Sequence, residues 1–299
     1  MNILIAIAAG LAGLLVLIVA VVAFLLIHRV KGRFFDSNGV KIHFTEQGSG
    51  EPVILVHGFA ANQDLNWRIP GMIRALSRDY RVIAMDVRGH ALSDAPHEEN
   101  AYGMEMIHDI ARLMDHLGIP KAHVVGYSMG GFIVLSFCAT HPDRAISCVA
   151  AGAGWFPEKK YPKMVTELPD ALRKERSMRP IMTFFDRRTS LPARIQMAVT
   201  NFVLMKMFDP LALASCFGSM TEMDGTEEQL RGNKVPLLSV IGTRDPLKKA
   251  VDNMIGKTGN HEVLFIEGKD HVGVPLSGAF KSGIKAFLKK HSQSGAKGR

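Results

Sequence analysis

The chain has 299 residues, of which 47% are hydrophobic, 21% charged and 7% aromatic. This length and composition suit one large α/β domain or two small ones, and they exclude a mostly disordered chain. Most of the formal net charge of +8 lies at the two ends of the chain, which argues against a basic face for nucleic acid. Three cysteines are too few for a disulfide framework and favour a reducing compartment.

The first predicted element is the apolar segment "ILIAIAAGLAGLLVLIVAVVAFLLI", from residue 3 to residue 27. As a helix it would rise about 37 Å, enough to cross a bilayer core of ~30 Å. A cleaved signal peptide has a shorter apolar region behind a basic start, whereas only Met1 and Asn2 precede this one. We therefore predict a transmembrane anchor with a basic flank over residues 1–33. The basic residues after it predict that the following domain faces the cytoplasm.

The next elements form a predicted α/β core. The segment "FFDSNGVKIHFTEQG" predicts a hairpin that turns at Asn38 and Gly39. Apolar strands such as "PVILVHGF", "YRVIAMD" and "AHVVG" then alternate with helices such as "MEMIHDIARLMDHLG". This alternation predicts a mostly parallel sheet covered on both faces after an antiparallel entry. The core occupies residues 34–153 and resumes at residues 231–290.

Residues 154–230 interrupt this alternation. The segment has helical patches, no clear strand, and eight of the sixteen methionines. We predict a helical cap inserted over the sheet's C-terminal edge. Its methionines would serve either core packing or an adaptable apolar wall over a cleft. Residues 291–299 are predicted to form a flexible basic tail, for which attraction to anionic lipid is the alternative to plain solvation.

The stretch "GYSMGG" follows the strand "AHVVG" and precedes a helical segment, so Ser128 lies in a strand-to-helix turn. Such a turn is expected to need glycine for its backbone angles. The spacing Gly126-x-Ser128-x-Gly130 also matches a nucleophile elbow, which presents a serine hydroxyl above the sheet edge. We predict that Ser128 is a nucleophile rather than only a small turn residue.

A serine nucleophile needs a base and an acid, and chain order places the acid first. Asp245 follows the strand "PLLSVIG", and His271 follows "EVLFIEG". Both therefore fall at the sheet edge that carries Ser128. His271 would accept and return the serine proton, while Asp245 would fix the imidazole tautomer. Asp270 and Asp224 remain alternative acids.

Two backbone N–H groups are predicted to stabilise a developing oxyanion. They belong to Met129, directly after the nucleophile, and to Phe59, in the "HGF" turn after its strand. His57 precedes the turn glycine and is predicted to be a structural partner of this loop. No motif predicts a metal site or a bound cofactor.

The ordered motifs "HGF", "DVRGHALSD", "GYSMGG", "GTRD" and "KDH" resemble those of α/β-hydrolase-fold serine hydrolases, from about Phe34 to Lys290 outside the cap. Ala91 departs from the family pattern, which has glycine there, and is expected to alter the bend of its loop. Epoxide hydrolases and haloalkane dehalogenases of this fold have a carboxylate where this chain has Ser128.

The resemblance implies esterase or monoacylglycerol-lipase-like activity through an acyl-enzyme. The predicted anchor and the apolar cap suggest a lipophilic ester that partitions into the membrane. The resemblance leaves open a carbon–carbon hydrolase, a perhydrolase, an acyltransferase, or a ligand receptor with weak hydrolysis. The expected partners are therefore a small lipophilic ester and a membrane, without nucleic acid, and the oligomeric state is left open.

Overall fold

The structure is a computed structural model that describes residues 30–292. The predicted apolar anchor and the end of the predicted tail lie outside these residues. Within the described part of the chain, no single helix is long and apolar enough to cross a membrane. Two consecutive helical segments, Leu191–Met207 and Pro210–Met223, meet that length and hydropathy only as a pair, bent by 97°.

An eight-stranded sheet forms the centre of the fold, in the order β1-β2-β4-β3-β5-β6-β7-β8. The first two strands run antiparallel to their neighbours, and the remaining six are parallel. The predicted parallel sheet with an antiparallel entry is thus confirmed. The strands are β1 (Arg33–Ser37), β2 (Val40–Gln47), β3 (Glu51–Val56), β4 (Tyr80–Met85), β5 (Ala122–Tyr127), β6 (Ala145–Ala151), β7 (Leu237–Gly242) and β8 (His261–Ile266).

The entry hairpin turns through two residues with positive φ, Asn38 at 57° and Gly39 at 85°. A two-residue hairpin turn of this kind matches the right-handed twist of the strands that it joins. Asparagine and glycine adopt these angles at low cost, which is why the dipeptide predicted the turn.

Ten helices, α1 to α10, are described between residues 30 and 292, and they cover both faces of the sheet. They are α1 (Met72–Leu76), α2 (Met104–His116), α3 (Met129–Thr140), α4 (Met164–Glu175), α5 (Arg179–Phe185), α6 (Leu191–Met207), α7 (Pro210–Gly218), α8 (Glu227–Gly232), α9 (Lys248–Asp252) and α10 (Gly278–Lys290). Single helical turns lie at Asp64–Arg68, Glu99–Ala101, Pro142–Arg144, Pro157–Lys159 and Ser219–Met223.

Alternate residues of the central strands enter two separate cores. Ile54 and Val56 of β3 belong to the core that includes α2 and α3, whereas Val53 and Leu55 belong to the core that includes α1 and α10. Because both faces are buried, the strands are continuously apolar and lack a polar alternation. Helices α4 to α8 lie between β6 and β7, where no strand interrupts them in the described chain.

Candidate active site

Ser128 lies at the junction of β5 and α3, in a strained backbone conformation with φ 54° and ψ −119°. A positive φ is costly for a residue with a β-carbon and persists only where the surroundings enforce it. Here the Ser128 N–H donates to the carbonyl of Ala151 (2.8 Å), and the Ser128 carbonyl accepts from the N–H of Gly131 (2.8 Å). The sheet and the helix together hold the serine in place.

The two flanking glycines are required for space and not for backbone angles, which corrects the sequence-based expectation. Neither Gly126 nor Gly130 has a positive φ. A β-carbon on Gly126 would lie 2.0 Å from the Gly130 oxygen, and one on Gly130 would lie 2.2 Å from the Val56 oxygen. The glycines let β5, α3 and β3 approach closely, while the serine itself carries the unusual φ.

Three predicted residues meet in one hydrogen-bonded chain. His271 Nε2 lies 2.9 Å from Ser128 Oγ, and His271 Nδ1 lies 2.7 Å from Asp245 Oδ2. Since the carboxylate can only accept, Nδ1 carries the proton and Nε2 accepts the serine hydroxyl. Asp245 follows β7 and His271 follows β8, and both side chains are buried.

The alternative acids lie elsewhere. Asp270 is exposed, and its Oδ1 accepts the N–H of Gly273 at 2.8 Å. Asp224 accepts the hydroxyl of Tyr161 at 2.5 Å on the wall of an apolar pocket, where burial raises the pKa of its carboxyl. The structure therefore brings Asp245, and neither alternative, to the imidazole.

The two predicted oxyanion donors belong to Phe59 and Met129, which line the same cavity as Ser128. Among residues 30–292, neither Phe59 N–H nor Met129 N–H has a hydrogen-bond acceptor. Met129 is the first residue of α3, where a helix leaves its N–H unpaired. A β-carbon on Gly58 would lie 3.2 Å from Ser128 Cβ, so the turn before Phe59 packs directly on the nucleophile.

The turn that carries Phe59 is fixed by its neighbours. The Gly58 N–H donates to Asn66 Oδ1 (2.7 Å), and the Ala60 N–H donates to His90 Nε2 (3.1 Å). Both flanking donors are therefore occupied, and the Phe59 N–H between them has no protein acceptor in the described chain. Asn66 and His90 were missed by sequence reasoning. His90 lies in "DVRGHALSD", but no periodicity indicates which turn it supports.

Two buried histidines connect this turn to the "DVRGHALSD" loop. His57 Nδ1 donates to the Gly58 carbonyl (2.8 Å), and its Nε2 accepts the N–H of Val87 (2.9 Å). His90 Nδ1 donates to the Arg88 carbonyl (3.1 Å). Burial lowers the pKa of His57, and burial together with the nearby His57 lowers that of His90 to about 3. Both rings are neutral, and both ring nitrogens of His57 are hydrogen-bonded to these two loops, as its predicted role of structural partner requires.

Ala91 adopts φ 53°, the left-handed region that glycine favours. No change in the bend of this loop therefore has to be assumed to accommodate the alanine. The backbone keeps a glycine-like conformation at Ala91, at a cost in strain.

Three more residues surround the imidazole of His271. The Tyr127 hydroxyl donates to the His271 carbonyl, which fixes the loop that carries the histidine. Gly152, at φ 61°, leaves room for the ring, because a β-carbon there would lie 3.0 Å from His271 Cε1. Phe185 of α5 stacks on the imidazole, with ring centroids 4.0 Å apart. These contacts join residues far apart in the chain, and no motif indicated them.

Two cavities meet at Ser128. One is a narrow apolar pocket whose lining includes Phe132, Phe156, Met164, Val165, Phe217 and Leu247. The other is an open mouth of about 450 Å³ whose lining includes Asn66, Met178, Met197, Leu204, His271 and Val272. Five of the eight cap methionines line one or the other: Met164, Met178, Met182, Met197 and Met220. In the described chain, neither lining contains lysine or arginine, and no group of side chains is arranged to hold a metal ion.

Comparison with known proteins supports the fold. Residues 51–181 match the family model described as the alpha/beta hydrolase fold. The chain is similar to the enol-lactonase of Burkholderia xenovorans, with a TM-score of 0.71 and 22% identity over 86% of this chain and 100% of that one. The predicted resemblance to α/β hydrolases is confirmed, and at this identity the structural likeness demonstrates the fold alone.

Two curated relatives match this chain over 40% of its length or less. The bifunctional epoxide hydrolase 2 of Rattus norvegicus is 35% identical over 109 residues, covering 36% of this chain and 19% of that protein. The 2-hydroxy-6-oxo-6-(2'-aminophenyl)hexa-2,4-dienoic acid hydrolase of Metapseudomonas resinovorans is 36% identical over 125 residues, covering 40% of this chain and 42% of that protein. The chain thus spans less than half the length of these relatives.

Proposed function

From the α/β-hydrolase fold and its hydrogen-bonded trio, we propose that this protein is a serine hydrolase that cleaves a lipophilic carboxylic ester. The observation that carries the proposal is the continuous chain from Ser128 Oγ through His271 to Asp245, with contacts of 2.9 and 2.7 Å. This series of hydrogen bonds ends at the serine hydroxyl, on the wall of an apolar pocket. Packing alone requires neither the buried carboxylate nor the strained serine.

The geometry supports acyl transfer in two steps. His271 Nε2 takes the hydroxyl proton as Ser128 Oγ attacks the ester carbonyl, and Asp245 stabilises the resulting imidazolium. The N–H groups of Phe59 and Met129 donate to the oxyanion, each contributing roughly 3 kcal/mol to lowering the barrier. The imidazolium then protonates the leaving alcohol. In the second step His271 deprotonates a water molecule, which attacks the acyl carbon, and the imidazolium then returns the proton to Ser128 Oγ as the acid leaves.

The two cavities suggest how the ester is oriented. The narrow pocket suits the acyl chain, because most of the side chains that line it are apolar, and the open mouth suits the alcohol part. A monoacylglycerol or a similar acyl ester is the substrate class that we propose. The predicted apolar anchor, a prediction from sequence, would hold such an enzyme at the membrane into which its substrate partitions.

A carbon–carbon hydrolase acting on a dienoate, as the name of the M. resinovorans relative describes, is less well supported. A carboxylate brought into an apolar pocket needs a cationic partner. The described linings contain the carboxyl groups of Asp224 and Asp186 and no lysine or arginine. The relatives named epoxide hydrolases share the fold, but Ser128 stands where that chemistry requires a carboxylate.

The nucleophile can be tested with a fluorophosphonate probe on the full-length protein in detergent. We expect labelling of the wild type and of the control Ser282→Ala, which removes an exposed serine of α10. Ser128→Ala should abolish labelling. Labelling that survives Ser128→Ala would contradict the proposal.

The substrate class can be tested with p-nitrophenyl esters of increasing acyl length. We expect kcat/KM to rise from acetyl to medium-chain esters, because each buried methylene contributes about 0.8 kcal/mol. A decline beyond acetyl would contradict a lipophilic acyl group. An initial burst followed by negligible turnover would favour the receptor, and product formation only with an added alcohol would favour an acyltransferase.

A further inference from the structure

Helix α6 (Leu191–Met207) has two distinct faces, and only one of them serves the candidate active site. Gln196, Met197, Thr200 and Leu204 line the open mouth beside Ser128 and His271. A different set of large apolar side chains on the same helix has no covering partner in the described chain: Leu191 is 68% exposed, Ile195 52% and Phe202 64%. The helix therefore separates a substrate cavity from an exposed apolar face.

These exposed residues form one continuous stripe. At 3.6 residues per turn, Leu191, Ile195 and Phe202 fall within about 40° of each other around the helix axis. Lys206 extends the stripe, with its ammonium 5.8 Å from the centroid of the Phe202 ring. Scattered surface leucines need no explanation, but an aligned apolar stripe on one helix indicates a contact surface.

Arginines flank the stripe. Residues 176–206 contain six basic side chains and one acidic side chain. Arg188 pairs with that acid, Asp186, at 2.6 Å. The guanidinium groups of Arg179, Arg187 and Arg194 have no carboxylate partner within residues 30–292, and they line a groove of about 700 Å³ between α5 and α6. Between its two ends the chain has a small net charge, and that average gave no sign of this local excess of positive charge.

The groove and the open mouth adjoin. Met182, Asp186 and Met197 line both of them. Two further exposed apolar residues, Val272 at 72% and Leu276 at 63%, belong to the lining of the mouth. A surface that covered the α6 stripe would therefore also lie beside the entrance to Ser128.

We propose that the outer face of α6 (Leu191, Ile195 and Phe202), with Arg179, Arg187 and Arg194, docks on an anionic phospholipid bilayer. The apolar side chains would enter the acyl boundary, and the guanidinium groups would pair with phosphate headgroups, as in interfacial amphipathic helices. A bilayer of this kind has anionic headgroups over an apolar acyl region. It therefore complements apolar side chains that lie beside arginines without a carboxylate partner. The purpose of docking rests on the proposed function, because docking would place the open mouth where a lipophilic ester enters. The docking itself does not depend on that function.

Docking can be measured on full-length Ser128→Ala protein in nanodiscs, so that the result does not depend on hydrolysis. Cys138, Cys148 and Cys216 are buried, so a spin label should attach to an introduced cysteine. We would label Ile195→Cys on the stripe and Ile255→Cys as a matched control, since the two isoleucines are 52% and 51% exposed. Accessibility to oxygen and to a water-soluble nickel chelate reports lipid contact.

In discs containing phosphatidylglycerol, the label at position 195 should be accessible to oxygen and protected from nickel, while the label at 255 stays in water. Replacing Arg179, Arg187 and Arg194 by glutamine should lower the ratio of docked to undocked label by about 100-fold, at roughly fivefold per arginine. Turnover of a water-soluble short ester by protein carrying these substitutions with Ser128 intact should not change.

Water exposure of the label at 195 in both anionic and zwitterionic discs would overturn the proposal. Protection from oxygen and nickel together, increasing with protein concentration, would indicate a second copy of the chain on this face and would overturn it as well. Either result would leave the fluorophosphonate test of Ser128 unaffected.

Discussion

The ring of Phe185 lies on the imidazole of His271, with centroids 4.0 Å apart and planes inclined by 18°. Phe185 belongs to α5 of the cap, whereas His271 follows β8 of the core. The same phenylalanine lines both cavities that meet at Ser128. One cap residue therefore touches the proposed general base and also shapes the space around the nucleophile.

Phe185→Ala should lower kcat, because the imidazolium formed during attack would lose its aromatic contact. We expect a decrease of about 5- to 30-fold, corresponding to roughly 1–2 kcal/mol of cation–π stabilisation. Phe185→Leu is the matched variant, since it keeps an apolar cover without a π face. A Phe185→Ala enzyme with wild-type kcat on short and long esters would show that the stacking has no role in turnover.

Asn66 is predicted to act as a positioning residue through the Gly58 N–H that it accepts at 2.7 Å. Asn66→Ala frees the turn that presents the Phe59 N–H to the oxyanion. We expect kcat to fall by about 10- to 100-fold, less than the cost of deleting a donor outright. Steady-state kinetics should place the loss in kcat rather than in KM. Asn66→Asp, which keeps the acceptor oxygen, should recover much of it, and equal loss in both variants would contradict the role.

His90 should make stability depend on pH in the acidic range. Its pKa falls from 6.5 to about 3 on folding, so between these values the unfolded state binds more protons. The contribution of His90 to the free energy of unfolding is fully present above pH 6.5. It is lost as pH falls toward 3, by up to about 1.4 kcal/mol per pH unit. Urea unfolding in detergent at several pH values measures this slope.

His90→Gln should flatten that pH dependence, because glutamine can still accept the Ala60 N–H but does not titrate. Some slope should persist, since burial lowers the pKa of His57 in the same direction. Identical slopes in the wild type and the variant would mean that His90 does not carry a depressed pKa.

Ala91→Gly should stabilise the protein, because Ala91 adopts φ 53° and glycine reaches this region without strain. We expect a gain of about 1 kcal/mol in the free energy of unfolding, reduced by the larger backbone entropy of glycine in the unfolded chain. Gly278→Ala serves as the control, because a β-carbon there meets no atom within 4 Å and its φ is not positive. A destabilised Ala91→Gly protein would show that the angle is not strained.

The strand-to-helix turn at Ser128 shows which features could be predicted from the sequence and which could not. The spacing of Gly126, Ser128 and Gly130 predicted the strand, the turn and the helix, but it assigned the unusual backbone angle to the glycines. The structure assigns that angle to Ser128 and gives the glycines a volume role. Spacing cannot distinguish the two, because a close approach depends on a third strand, β3, that is distant in the chain.

The order of the elements, the parallel sheet and the residues at its C-terminal edge could all be predicted from the amino-acid sequence. Apolar periodicity and turn residues are local, and parallel strands bring their carboxyl ends together whatever the loops contain. Three features could not be predicted in this way: Asp245 rather than Asp224 meets His271, Asn66 and His90 hold the Phe59 turn, and Phe185 covers the imidazole. Each of these depends on side-chain packing between elements far apart in the chain, which local pattern does not encode.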